Sequence, residues 1–121
     1  MEIKMYTNMS SASCRKAINW FSEERIPFVE IKLNKSGITK EQLKHILSLT
    51  DNGLDDLLKR TVNRERLDDL SLNEALDRIV ENSEMLKVPI IISGRKMLIG
   101  YQEEHIRAFI PKSYRKLLLA I

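Results

Sequence analysis

The spacing of apolar and polar residues changes along the chain and predicts alternating strands and helices. The stretch from Ile3 to Phe21 begins as a short alternating strand, passes through small polar residues, and from Ala12 onward carries apolar residues at helical spacing. After Pro27, residues 28–33 alternate apolar with polar, as a half-buried strand does. A strand, a helix and a second strand in this order are typical of a parallel pair joined by a crossover.

The middle of the chain predicts helices. Residues 34–37 are expected to form a loop, after which a capping box at Thr39 to Gln42 begins a helix. Asp51-Asn52-Gly53 are expected to end that helix, because Asn and Gly adopt positive φ at little cost. A short helix then begins at Leu54, and residues 59–69 are expected to be a surface connection with at most a helical turn. A second capping box begins a further helix, whose apolar stripe is Leu72, Ala75, Leu76, Ile79 and Val80.

The last third predicts a hairpin and a final helix. Pro89 to Ile92 is typical of a strand buried on both faces, and residues 97–101 return as its antiparallel partner. Residues 103–110 are expected to form a helix with Ile106, Phe109 and Ile110 inward, ended by Pro111. The predicted fold class is therefore α/β: a single domain, 1–121, with a four-stranded mixed sheet and a helical insertion at about residues 35–86. A cysteine at the start of the first helix, followed much later by a proline that enters a buried strand, indicates a thioredoxin-like arrangement.

Length and composition narrow the class of protein. A chain of 121 residues is long enough to bury one core without a staple, and its single cysteine excludes an internal disulfide. No apolar run reaches the ~18 residues of a membrane span, and the N-terminus lacks a signal-peptide core. We expect a soluble, cytoplasmic protein.

Charge is distributed unevenly. Residues 51–84 carry ten acidic and five basic residues, whereas the rest of the chain carries seven acidic and fifteen basic residues. This asymmetry suggests two surfaces of opposite sign that steer partners, although an ordinary solvated surface is an equally open interpretation.

Candidate chemistry centres on the start of the first helix. Cys14 lies in the first turn, where free N–H groups and the helix dipole favour a thiolate, but it also lies on the apolar stripe and can be buried there as a small hydrophobe. Ser11 is more readily explained as a helix cap than as a nucleophile, because neither His45 nor His105 lies in a segment expected beside it. Both histidines are expected to be exposed. No metal-ligand spacing and no phosphate-binding glycine pattern is found.

Several segments together resemble the Spx family, the arsenate-reductase-like regulators of Gram-positive bacteria. The similar segments follow the family's order over nearly the whole chain, with residues 61–86 similar only in pattern. They are Tyr6-Thr7, Ser11 to Ala17, Ile46 to Gly53, Pro89 to Ile92, Ile99 to Tyr101, and Ile106 to Pro111.

The resemblance implies a regulator that binds the C-terminal domain of the RNA polymerase α subunit, and so acts on DNA only through polymerase. It carries the family's polymerase-contact glycine onto Gly53 and associates Tyr6, Thr7 and Ser48 with the same contact. At Ser48 the family has an arginine, which weakens the expected contact. Lys59 and Arg60 are expected to flank this surface. No cofactor, metal or membrane is implied.

The resemblance also implies a redox pair that this chain lacks. The family's switch is a C-x-x-C pair, and here Ser11 replaces the first cysteine, so only Cys14 remains. The Arg-Pro that precedes the buried strand in the family is Val88-Pro89 here, and the resemblance implies a cis bond at Pro89. We therefore expect a regulator without the intramolecular disulfide, whose output depends more on its abundance than on oxidation.

Two other functions remain open at this stage. An arsenate-reductase-like thiol oxidoreductase would need a thiol at position 11 and arginines that hold an oxyanion. The second open function is that of a diverged module that recognises another protein. The apolar C-terminus, residues 117–121, is expected to pack on the domain; exposed, it would be a handle for a ClpXP-type protease.

Overall fold

A four-stranded mixed sheet forms the centre of the molecule. The computed structural model describes residues 2–113. The strands are β1 (Lys4–Thr7), β2 (Val29–Lys32), β3 (Ile90–Ser93) and β4 (Lys96–Ile99), in the spatial order β2-β1-β3-β4. β1 is parallel to β2 and antiparallel to β3, and β3 is antiparallel to β4. The predicted fold class, an α/β thioredoxin-like mixed sheet, is confirmed.

The helices and 3-10 segments of residues 2–110 accompany the sheet. They are α1 (Ala12–Glu23), α2 (Leu33–Ser36), α3 (Lys40–Ser48), α4 (Leu54–Leu57), α5 (Glu65–Asp68), α6 (Leu72–Glu81), and 3-10 segments at Ser83–Met85 and His105–Phe109. Helices α3 and α6 begin at the two predicted capping boxes, each with both reciprocal hydrogen bonds formed. The elements between β2 and β3 are helices and one 3-10 segment, joined by turns, so the predicted helical insertion is present.

The sheet separates two apolar clusters. Ile90 and Ile92 face a cluster that contains the buried residues of α3 and α6, whereas Ile91 faces a cluster that contains Phe21 of α1 and Ile106. Successive strand residues point to opposite faces, so the continuous isoleucine run fills both clusters.

Two local predictions in the insertion are wrong. Residues 34–37 are not a loop: Leu33 is buried and begins the single turn α2, which ends at Gly37 with φ of +69°. Gly53 does not end α3. That helix closes at Leu49, which keeps a right-handed conformation, and the positive φ of Gly53, +69°, serves the turn that leads into α4.

Two predictions about apolar stripes also need correction. Leu72 is 57% exposed, because it is the first residue of α6 and lies beyond the packed part of the stripe. The last predicted helix is a 3-10 segment, in which the three-residue spacing of Ile106 and Phe109 keeps both side chains buried. The predicted packing of residues 117–121 lies outside the described residues.

Helix α6 supplies a direct test of the insertion's contribution to stability. Ile79 is fully buried, so Ile79→Ala is expected to lower the free energy of unfolding by about 2–5 kcal/mol. Leu72→Ala, on the same helix but exposed, is expected to change it by less than about 0.5 kcal/mol. Urea unfolding followed by circular dichroism measures both. Equal effects of the two variants would contradict the packing described here.

Candidate functional site

Ser11 acts as the N-cap of α1. Its backbone is extended, with φ of −86° and ψ of 121°, and its hydroxyl oxygen accepts a hydrogen bond from the backbone N–H of Cys14 at 3.2 Å. The N–H of Ser11 in turn donates to the carbonyl of Asn8 at 3.1 Å. Ser11 is therefore a helix cap, as expected from the sequence. Such a cap typically contributes about 1 kcal/mol to the free energy of unfolding.

Cys14 is buried beneath the start of α1. Only 2% of its surface is exposed, and it lies on the buried face that also carries Ala17 and Phe21. The sequence left open whether Cys14 is an accessible thiolate or a buried small hydrophobe, and in the structure it is buried. A thiol in this position is shielded from oxidants and partner thiols until the helix moves.

The register of the sheet explains which loops meet beside Ser11. Tyr6 pairs with Ile90, and Ile90 pairs with Ile99, so the loop after β1, the segment before β3 and the residues after β4 lie at the same end of the sheet. They enclose an open cleft of about 440 Å³ lined by Asn8, Ser10, Ser11, Lys59, Lys87, Val88, Ile99 and Gly100. The sequence-predicted positions Ser11 and Val88 thus share one cleft. The Val88–Pro89 bond is cis, as the resemblance implies.

A bridge between the segment after α4 and the segment before β3 brings two lysines into this cleft. Leu58 and Leu86 form an isolated antiparallel bridge, in which Lys59 N–H donates to the Met85 carbonyl at 2.9 Å and Lys87 N–H donates to the Leu57 carbonyl at 2.7 Å. Sequence reasoning missed this bridge, because it joins residues far apart in the chain and carries no local signal.

Arg64 strengthens the same segment. One of its guanidinium N–H groups donates to the Lys59 carbonyl at 3.1 Å, and its Nε lies 3.4 Å from the carboxylate of Asp55. The Lys59 backbone is therefore held by the Arg64 side chain as well as by the bridge. Among the residues that line the cleft, the charged ones are both lysines.

Residues 50–56, which comprise the turn at Gly53 and the start of α4, are here called the Gly53 turn. The Gly53 N–H donates to the Thr50 hydroxyl at 3.1 Å. The Asp56 carboxylate accepts from the backbone N–H of Asp51 at 3.1 Å, the backbone N–H of Asn52 at 2.9 Å and the Asn52 side-chain amide at 3.2 Å. A Cβ atom built at Gly53 would meet nothing within 4 Å. The glycine therefore faces open space from an ordered turn.

The charge on Asp56 is stabilised by the turn that it organises. The backbone N–H of Asn52 lowers the pKa of Asp56, and the Asn52 side chain and the attraction of Lys87 lower it further. Hydrogen bonds to the charged form thus keep Asp56 ionised and keep the turn closed.

The Gly53 turn adjoins the cleft at Ser11. A second depression of about 340 Å³ lies between Thr50, Asp51 and Asp56 on one side and the residues of β4 on the other. Lys87 and Ile99 line both this depression and the Ser11 cleft. We call the Gly53 turn and this depression the docking surface.

The other residues that the resemblance associates with polymerase lie elsewhere. Tyr6 is 3% and Thr7 is 2% exposed, and burial raises the pKa of Tyr6. The Thr7 hydroxyl donates to the Glu30 carboxylate at 2.7 Å. Ser48 is exposed but donates to the His45 carbonyl and lines a groove between α3 and α6. Of the four positions, Gly53 alone lies on the docking surface; Tyr6 and Thr7 are too buried for direct contact.

His45 and His105 are exposed, as predicted, and neither lines the Ser11 cleft. Within residues 2–113, no three His, Cys, Asp or Glu side chains form a group that could hold a metal ion. In the same range, no helix has the length and apolar character needed to cross a membrane.

The burial of Cys14 predicts slow reaction with thiol reagents. In the folded protein its rate with a chromogenic disulfide reagent is expected to be lower by on the order of a hundredfold than in urea, because reaction requires local opening. Met9→Cys, in a Cys14→Ala background, places a thiol at a position where the side chain is 68% exposed. That control is expected to react at the rate of a free thiol. Equal rates for the two proteins would contradict the burial of Cys14.

The lowered pKa of Asp56 predicts a pH-dependent contribution to stability. The contribution is present above the pKa of the unfolded carboxyl and is lost as the pH falls through the folded pKa. Asp56→Asn is therefore expected to be less stable than the parent at neutral pH, with a difference that shrinks in acid. Thermal unfolding from pH 7 downward measures it, with the exposed Asp69→Asn as control. A difference that does not depend on pH, or that Asp69→Asn reproduces, would contradict the role of Asp56.

The family model and the similar proteins of known name indicate the same family for this chain. The ArsC family model matches residues 6–109. The global transcriptional regulator Spx of Streptococcus pneumoniae strain R6 is 41% identical over 119 residues, which cover 94% of this chain and 90% of that protein. Spx 1 of Lactococcus lactis is 38% identical, with 94% of this chain and 93% of that protein covered.

Solved structures agree in fold. An ArsC family related protein from Bacteroides fragilis has a TM-score of 0.74 at 19% identity, with 89% of this chain and 97% of that chain covered. An arsenate reductase from Vibrio cholerae has a TM-score of 0.72 at 15% identity, with 89% and 94% covered. These identities show a shared fold only, whereas the match of the family model and the similarity to Spx extend over most of the sequence. This chain belongs to the ArsC family and, within it, groups with the Spx proteins.

Proposed function

We propose that this protein is a non-enzymatic transcriptional regulator that binds the C-terminal domain of the RNA polymerase α subunit through the docking surface. The observation that carries the proposal is the Gly53 turn. It is ordered by its own hydrogen bonds, and its glycine has open space where a side chain would project. A glycine in that position lets a partner's backbone or side chain approach closely. The Spx relatives are named global transcriptional regulators, which favours polymerase as the partner.

The charges beside Gly53 suit a partner with a mixed surface. Asp51 and Asp55 are exposed on the turn, and Lys87 lines the adjoining depression. A partner that presents a basic group to the turn and an acidic group to Lys87 would be oriented by both contacts. Action on DNA is indirect in this proposal, through polymerase, and the site of action is the cytoplasm.

The proposed regulator is not controlled by an intramolecular disulfide. The chain has one cysteine, and position 11 carries a hydroxyl that accepts a hydrogen bond from the Cys14 N–H. We infer that the amount of protein, rather than its oxidation, sets its effect on transcription. A ClpXP-type protease acting on the C-terminal residues is a route by which that amount would be controlled.

The chemistry of the Ser11 cleft disfavours arsenate reduction. That reaction needs a thiolate nucleophile, and a serine hydroxyl without an adjacent base is a poor one. No histidine lines the cleft, and among residues 2–113 its charged residues are Lys59 and Lys87, which bind anions as point charges rather than through a bidentate fork.

Substitution of two matched glycines tests the docking surface. Gly53→Arg is expected to weaken binding of the purified α C-terminal domain by roughly tenfold or more, because a long charged side chain would separate the two surfaces. Gly37→Arg is the control, since Gly37 has the same φ of +69° and a Cβ there also meets nothing within 4 Å. Backbone strain is therefore comparable in the two variants, and Gly37→Arg is expected to bind like the parent. Isothermal titration calorimetry measures both affinities.

Two results would contradict the proposal. Binding by Gly53→Arg at the affinity of the parent would remove the docking surface from the contact. Turnover of arsenate by the purified protein with a thiol donor, absent in Cys14→Ala, would indicate an enzyme.

A further inference from the structure

A further cavity lies in the helical insertion and is lined by two arginines whose side chains have no partner within residues 2–113. It has a volume of about 520 Å³ and is lined by Thr61, Val62, Asn63, Arg66, Leu67, Arg78, Asn82, Glu84 and Met85. None of these residues lines the Ser11 cleft or the depression of the docking surface. The cavity is therefore separate from the site of the proposed function.

The two arginines line the cavity from different helices, and both are exposed. Arg66 belongs to α5 and Arg78 to α6. Within residues 2–113, neither guanidinium group forms an ion pair or a side-chain hydrogen bond, whereas Arg64 is paired with Asp55. The surrounding segment, residues 51–84, carries ten acidic residues. Two arginines left unpaired among so many carboxylates have donors available for a ligand.

Amide groups add further donors to the cavity. The side-chain oxygen of Asn63 accepts from the Glu65 N–H at 3.0 Å, which leaves its amide nitrogen to donate elsewhere. The amide nitrogen of Asn82 donates to the Arg78 carbonyl at 2.9 Å and retains a second N–H. Guanidinium and amide N–H groups together form the donor set that phosphate oxygens require.

The cavity is also lined by an acidic residue and by apolar residues, and these limit the kind of ligand that fits it. Glu84 offers carboxylate oxygens and pairs with neither arginine, and Val62, Leu67 and Met85 are apolar. Inorganic phosphate would use only the arginines and amides. A larger molecule with a phosphate at one end and hydroxyl or amino groups on an apolar body would use the whole cavity.

From this arrangement we propose that the cavity binds a small phosphorylated metabolite, with its phosphate held by Arg66 and Arg78. Glu84 accepts hydrogen bonds from the hydroxyl or amino groups of the ligand. The negative charge of the surrounding segment opposes non-specific anion binding, so binding depends on the two guanidinium groups. The site is independent of polymerase binding.

Nuclear magnetic resonance titration of the full chain tests this site, with adenosine monophosphate as the probe and adenosine and inorganic phosphate as matched partial ligands. Saturable shifts are expected for backbone amides of residues 61–67 and 78–85 with adenosine monophosphate. Inorganic phosphate is expected to bind the same residues more weakly, and adenosine is expected to leave them unchanged. Arg66→Gln and Arg78→Gln are each expected to weaken binding roughly tenfold, since each removes a charge-assisted contact. Arg60→Gln removes the same charge from an exposed position outside the cavity and is expected to bind like the parent.

Three results would overturn the proposal. They are the absence of saturable shifts with either phosphate-containing probe, shifts confined to residues 8–11 and 87–88 in the lysine cleft, and equal affinities for the arginine variants and Arg60→Gln.

Discussion

The alternation of side chains along β3 is the constraint on which the rest of the molecule depends. Ile90 and Ile92 must pack on the helical insertion and Ile91 on α1, because consecutive residues of a strand face opposite sides of the sheet. A shift of the β3 register by one residue would move Ile90 and Ile92 to the face of α1 and Ile91 to the face of the insertion. This register also fixes which loops meet at one end of the sheet, and it therefore determines the cleft at Ser11 and the position of Lys87 between that cleft and the Gly53 turn.

The same scaffold is compatible with thiol chemistry and with protein binding, and single residues decide between them. A cysteine at position 11 would put a thiol at the start of a helix, where the dipole favours its ionised form. The hydroxyl of Ser11 instead completes the helix cap, and Cys14 is buried below it. What remains accessible near this end of the sheet is the acidic Gly53 turn, held closed by Asp56, next to the basic cleft. In the proposed function, both features contact another macromolecule.

Local sequence patterns predict the parts of the fold that local forces determine. The two capping boxes give the starts of α3 and α6, and the isoleucine run gives β3, because in each case the determining residues lie within a few positions of one another. The bridge between Leu58 and Leu86 was not predictable in this way, since it depends on how two distant parts of the insertion fold against each other. The error at Gly53 has a related cause. The residue type indicates a positive φ, but it does not indicate whether that φ ends one helix or leads into the next.

The candidate site was predictable only in part. The sequence identifies Ser11, Cys14 and Gly53 as notable, and the cap at Ser11 follows from its residue type. That Cys14 is buried, that Tyr6 and Thr7 are inaccessible, and that Lys59 and Lys87 share a cleft all depend on tertiary packing. The role of Asp56 was also missed, although an aspartate three residues after a glycine turn is a recognisable acceptor for backbone N–H groups.

Binding at the docking surface can be tested by amide hydrogen exchange of this protein with and without the polymerase α C-terminal domain. Protection from exchange is expected to increase in residues 50–56 and in the adjoining residues of β4, while α1 is unchanged. Protection confined to the groove between α3 and α6, or no change anywhere at saturating partner, would contradict binding at the docking surface.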